Sequence, residues 1–92
     1  MLEREIVAKI QKYLKETPNV FFFKEHGGQY GTAGIPDLIC CYKGKFIAFE
    51  VKTDTGKATV LQRLTIRQIQ NAGGCACIVR SVDDVKKIIV AL

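Results

Sequence analysis

The chain has 92 residues, 48% of them hydrophobic and 25% charged, with a formal net charge of +5 and a pI near 9.2. That length makes one domain, residues 1–92, which buries only about 60–65% of the surface its unfolded form exposes, so its core is modest and a partner copy would help it. No apolar run is long enough to span a membrane, and Met1-Leu2-Glu3-Arg4-Glu5 lacks the basic-then-apolar order of a signal peptide, so the expectation is a cytoplasmic protein.

Periodicity predicts a helix over residues 2–16, with Leu2, Ile6, Ile10, Tyr13 and Leu14 as its apolar stripe. Glu3 and Glu5 suit the positive end of its dipole. Thr17-Pro18-Asn19 stops it, and Val20-Phe21-Phe22-Phe23 reads as an aromatic strand. Residues 27–34 hold four glycines, which marks a mobile loop or a backbone that approaches something closely. Leu38 to Tyr42 and Lys45 to Val51 are two strands joined at Lys43-Gly44, a hairpin signature. Thr53 to Thr59 is a polar loop, and residues 60–72 form a helix ended by Gly73-Gly74. Cys75 to Val79 is a strand, and Ser81 caps a last helix carrying Val85, Ile88, Ile89 and Leu92.

The order is αβββαβα, an α/β chain. The first three strands form an antiparallel meander, and the third strand, helix and fourth strand form a right-handed parallel crossover. A four-stranded mixed sheet flanked by helices follows.

The four cysteines, Cys40, Cys41, Cys75 and Cys77, contain no C-x-x-C pair, and His26 is the only histidine. They read as reduced, buried small hydrophobes rather than as a zinc site or structural disulfides. The basic balance favours acidic partners, nucleic acid foremost, because cations release counterions from phosphates.

The chemistry is concentrated in Gly34-Ile35-Pro36-Asp37 and Glu50-Val51-Lys52. Glu50 and Lys52 are two apart on one strand and share a face, while Ile47, Phe49 and Val51 take the other, apolar face. A two-residue turn at Lys43-Gly44 pairs Tyr42 with Lys45 and Cys40 with Ile47, and sets Asp37 opposite Glu50. Opposed residues have Cβ atoms about 4.5–5.5 Å apart. A three-residue loop would move Asp37 off direct opposition. Two facing carboxylates destabilise a sheet unless something positive lies between them. A divalent cation fits, because Mg²⁺ takes one or two carboxylates and fills its other positions with water and phosphate oxygens. Gln62 opens the inward stripe of Ile66 and Ile69 and should aim at something polar. By spacing alone, Glu5 and Lys9 are an ordinary surface pair.

At these residues the chain resembles the VRR-NUC domain of the PD-(D/E)xK, restriction-endonuclease-like superfamily. The resemblance runs through an N-terminal helix with Glu5, Gly34-Ile35-Pro36-Asp37-Leu38, Phe49-Glu50-Val51-Lys52, and Gln62 with Ile66 and Ile69. It continues through Cys77-Ile78-Val79 and Arg80-Ser81-Val82-Asp83-Asp84. It places Glu5 at the family's helical acidic position. It implies a metal-dependent, structure-specific DNA endonuclease, stand-alone and of phage or bacterial type, similar in build to dimeric Holliday-junction resolvases. Branched or flap DNA is then the expected partner, and a homodimer the expected assembly. In that reading Asp37 and Glu50 hold one or two Mg²⁺ or Mn²⁺ ions, helped by the carbonyl of Val51. Lys52 orients the attacking water and offsets charge developing on the phosphate. Gln62 holds Lys52 or the water, and Glu5 adds an outer contact to metal-bound water. Lys24, His26, Lys43, Lys45, Lys57, Arg63, Arg67 and the loop from Gly27 to Thr32 are candidates for DNA-backbone contact. Two other readings stay open: a catalytically silent nucleic-acid binder on the same fold, and a small module docking an acidic protein.

Overall fold

The computed structural model describes residues 1–26 and 33–92. Its elements are α1 (Glu3–Glu16), β1 (Val20–Lys24), β2 (Leu38–Tyr42), β3 (Lys45–Val51), α2 (Val60–Asn71), β4 (Cys75–Val79) and α3 (Val82–Ala91). These are the expected elements in the expected order. The strands make one sheet in the order β1-β2-β3-β4, antiparallel across the first three and parallel between β3 and β4.

The turn between β2 and β3 is two residues long. Lys43 has φ 50° and Gly44 φ 82°, the pair of positive values that lets a tight turn follow the right-handed twist of its strands. Tyr42 therefore pairs with Lys45, Cys40 with Ile47 and Leu38 with Phe49. A slip of one residue would send every side chain to the opposite face.

Alternation then sorts the sheet. Leu38, Cys40, Ile47, Phe49, Val51 and Val79 turn to one face and pack with Ile6, Val7, Ile10 and Leu14 of α1 and Val85 and Ile89 of α3. This is the main core. Leu2 caps α1 from outside that stripe and is exposed. On the opposite face, Ala48 and Ala76 lie under Ile66 of α2. The helix starts are built as expected: Thr59 and Gln62 form a capping box on α2, and Ser81 accepts the Asp84 N–H at the start of α3.

All four cysteines are free, and one differs from expectation. Cys40 is buried and Cys75 and Cys77 are half-buried, but Cys41 is exposed. Its neighbour Cys40 faces the core, so Cys41 must face away, onto a part of the sheet that α2 leaves open. Most of the glycine-rich loop lies at residues 27–32, outside the described residues, so its expected role in following DNA has no structural counterpart here. None of the described helices is long and apolar enough to cross a membrane.

The core assignment is open to measurement. Phe49 is fully buried, so Phe49→Ala should cost about 3–5 kcal/mol in urea unfolding. Val90 is 82% exposed, and Val90→Ala should change stability by no more than about 0.5 kcal/mol.

Candidate active site

β2 ends where its backbone can no longer pair. Continuing the register puts Pro36 opposite Val51, and proline has no N–H to give. The chain bends at Asp37 instead. There the Asp37 carboxylate substitutes for the missing strand, and its Oδ2 accepts the Val51 N–H at 2.7 Å. The Asp37 carbonyl accepts the Glu25 N–H at 2.8 Å, which ties the same residue to the chain leaving β1. A strand residue directs its N–H and C=O to the same edge, so the Val51 carbonyl projects toward the side that Asp37 occupies.

Glu50 lies one residue away and is only 2% exposed. Its Oε2 accepts from the Gln62 side-chain amide at 3.3 Å and lies 3.7 Å from the Lys52 ammonium. Its Oε1 is buried and has no hydrogen-bond partner among the described residues. Burial, first of all, pushes the Glu50 carboxyl up to about 8; the adjacent Asp37 carboxyl and, least, the charge of Glu3 push the same way, against Lys52. The direction is upward because the group is dry and already faces an acid.

Gln62 holds its position through the helix cap. Its Oε1 accepts the Thr59 N–H at 2.9 Å, which leaves its amide nitrogen to reach Glu50. Gln62 was expected to hold Lys52 or the water; it holds Glu50 instead. Gly34 joins this helix to the segment that carries Asp37. Its φ is 85°, and a Cβ there would fall 2.8 Å from Leu61 Cγ and 3.0 Å from Thr65 Oγ1. Only glycine permits so close an approach. Lys52 is 9% exposed, its N–H bonded to the Val79 carbonyl at 3.0 Å. The turn after it folds back on its stem, and Arg80 fastens that turn by donating to the carbonyls of Thr53 and Gly56.

The structure thus gathers Asp37, Glu50, Val51, Lys52 and Gln62 at one end of the sheet. Glu5 and Glu3 of α1 are both exposed, and the charge of Glu3 is the smallest of the influences on Glu50. Of the basic candidates, Lys24 and His26 flank Asp37, and Lys57 and Arg63 flank the start of α2, all exposed. Arg67 is exposed one turn further along α2. Lys43 and Lys45 sit at the other end of the hairpin, with Lys45 roughly 17 Å of strand from Glu50. The acids also lie outside an open cavity of about 600 Å³ between the starts of α1 and α3 and the turn at Thr53–Thr55.

The raised Glu50 carboxyl makes stability depend on pH. A glutamate unfolds to an ordinary value near 4.5, while the folded group holds its proton up to about 8. The folded state therefore binds more protons between these limits, and its stability should fall as pH rises through that window. Urea unfolding in EDTA between pH 5 and pH 8.5 should show this decline. Glu50→Gln, which mimics the protonated form, should flatten it; an unchanged slope would contradict the assignment.

No family model matches the chain, and no curated protein matches it. Solved structures do. One, described as a "VRR_NUC domain protein", superposes with a TM-score of 0.75 at 21% identity, covering 97% of this chain and 85% of the other. A second, described as a "VRR_NUC domain", gives 0.69 at 26% identity, covering 89% and 91%. The expected architecture and the expected resemblance coincide in these matches: the chain has the VRR_NUC fold.

Proposed function

We propose that the chain is a metal-dependent endonuclease that hydrolyses DNA phosphodiester bonds, with Asp37, Glu50 and Lys52 as its catalytic residues. The observation that carries this reading is the Glu50 carboxylate. It is 2% exposed, one oxygen has no hydrogen-bond partner among the described residues, and a second carboxylate stands beside it. Nothing in a purely structural role explains that arrangement, because an unpaired buried polar atom costs about 1–3 kcal/mol. The VRR_NUC fold, of nuclease type, supports the same reading.

The donor set fits Mg²⁺ or Mn²⁺. Asp37, the free oxygen of Glu50 and the Val51 carbonyl are hard oxygen donors, few enough to leave positions for water and phosphate. Such an ion, when bound, polarises the scissile phosphate and acidifies water. The protein's own groups do the rest. The Lys52 ammonium orients the attacking water and faces the negative charge that grows as the new P–O bond forms and the old one breaks. Gln62 fixes the Glu50 carboxylate. Lys24, His26, Lys57 and Arg63 stand at the correct end of the sheet to meet backbone phosphates. Branched or flap DNA is the proposed substrate class, on the strength of the resemblance of the motifs.

The test uses purified protein with duplex, single-stranded, flap and four-way-junction DNA, in Mg²⁺, Mn²⁺ or EDTA. Cutting should require metal. Lys52→Ala and Asp37→Asn should each lower it by at least about 10³-fold, and Gln62→Ala by about 10–100-fold. Tight, salt-sensitive binding with no cutting under either metal would sink the reading in favour of a silent binder.

A further inference from the structure

The stretch Arg80-Ser81-Val82-Asp83-Asp84, between β4 and α3, takes no part in the hydrolysis proposed above. Yet its first side chain makes the two side-chain hydrogen bonds of widest sequence separation among the described residues. One Arg80 nitrogen, Nη1, donates to the carbonyl of Thr53 and, at 2.8 Å, to that of Gly56. Arg80 is itself held from behind. Its backbone N–H donates to Asp84 Oδ2 at 2.8 Å, and the Asp84 N–H donates to Ser81 Oγ at 3.2 Å at the start of α3. Just before it, the Val79 carbonyl accepts the Lys52 N–H at 3.0 Å. The end of β4 thus grips Lys52 from two directions, Val79 through its own backbone and Arg80 through the turn that follows it.

That turn has little else to fix it. The Gly56 N–H closes it by donating to the Thr53 carbonyl at 3.2 Å and to Thr53 Oγ1 at 3.1 Å. Asp54 and Thr55 are exposed, and with Thr53 they border the open cavity of about 600 Å³. The inner side of the turn backs the lysine, since a Cβ on Gly56 would lie 3.6 Å from Lys52 Cβ. Lys52 needs this backing. Its ammonium is carried on a flexible four-carbon stem, and Glu50 Oε2, at 3.7 Å, is too far to fix it by a hydrogen bond.

We propose that Arg80 is a positioning residue for Lys52. By tying the turn from Thr53 to Gly56 to the end of β4, it holds the lysine stem where the ammonium faces Glu50. Arginine suits the task because its guanidinium is planar, always charged and rich in donors, and its bonds to carbonyls are charge-assisted. Its hydrogen bonds go to backbone, so it acts through the turn and not on the reacting atoms. The kinetic part of this inference rests on the use of Lys52 in hydrolysis; the structural part does not.

Two measurements keep those parts separate. The first needs no activity. In metal-free protein with ¹³C-labelled lysine, relaxation of the Lys52 Cε methylene should report an ordered side chain, with an order parameter at least roughly halved by Arg80→Ala. Lys87→Ala, exposed on α3 and lowering the net charge equally, should leave it unchanged. The second is turnover of cleaved DNA in saturating Mg²⁺. Arg80→Ala should lower kcat by about 10–100-fold with KM within about twofold of wild type, while Lys87→Ala cuts normally. Cooperative urea unfolding of Arg80→Ala shows that the loss belongs to folded protein. Should that variant fail to fold, Arg80→Lys keeps the charge without the planar fork and should show the same changes at smaller size. In a wild type that cuts, unchanged Lys52 order or unchanged kcat overturns the proposal and leaves the nuclease reading in place. A raised KM at constant kcat also overturns it, and assigns Arg80 to DNA binding. In a wild type that binds DNA without cutting, the nuclease reading falls, and a Lys52 equally ordered with and without the Arg80 side chain overturns the positioning role as well.

Discussion

A carboxylate kept dry beside another carboxylate is an unfavourable thing for a small protein to maintain. Glu50 is 2% exposed, and one of its oxygens has no hydrogen-bond partner among the described residues. The penalty for one such atom is about 1–3 kcal/mol, and a domain of this length has a total stability on the order of 5–14 kcal/mol. The site therefore consumes a sizeable share of what the core provides. That is why the opposite face of the same strand is so strongly apolar: Ile47, Phe49 and Val51 are all fully buried against α1 and α3. β3 supplies packing on one side and chemistry on the other. Neither can change without the other, because they alternate along a single backbone.

The hairpin turn governs this division from a distance. Lys43 and Gly44 lie at the far end of the sheet from Glu50, yet their positive φ values set the register that decides which residue meets which. A different turn length would set another residue against Asp37, or rotate Glu50 into the apolar core, where no amide or ammonium waits for it. The proline at position 36 completes the arrangement. It keeps the pairing of β2 from extending back past Leu38, so the Asp37 side chain rather than a backbone carbonyl receives the Val51 N–H. An edge of sheet that would otherwise be closed by hydrogen bonds is opened into a site.

Much of this could be read from the residues. The element order, the register and the shared face of Glu50 and Lys52 follow from alternation and from the Lys-Gly turn, which are local rules. What escaped were relations between elements. Gln62 was visibly inward, but its partner depended on the cap, since Thr59 occupies its oxygen and only its nitrogen is free for Glu50. Lys43 and Lys45 were candidates by charge, and the structure sets them at the end of the hairpin away from Glu50. Cys41 reads as buried until one knows that α2 spans only half of its face.

The narrow coverage by α2 has a physical origin in the residues beneath it. Ala48 and Ala76 are the small, buried positions under Ile66, and they let the helix lie close to the sheet. Farther along, Gly74 fits against Ile69 with no room for a side chain. Larger residues at any of these positions would lift α2, and its first turn would rise with it. The Gln62 amide reaches Glu50 at 3.3 Å, already near the limit of a useful hydrogen bond, so a small displacement there would release the carboxylate. Gly34, seated against Leu61, would shift with the helix and carry the Asp37 segment along. The geometry of the two acids thus rests on how closely one helix approaches two alanines.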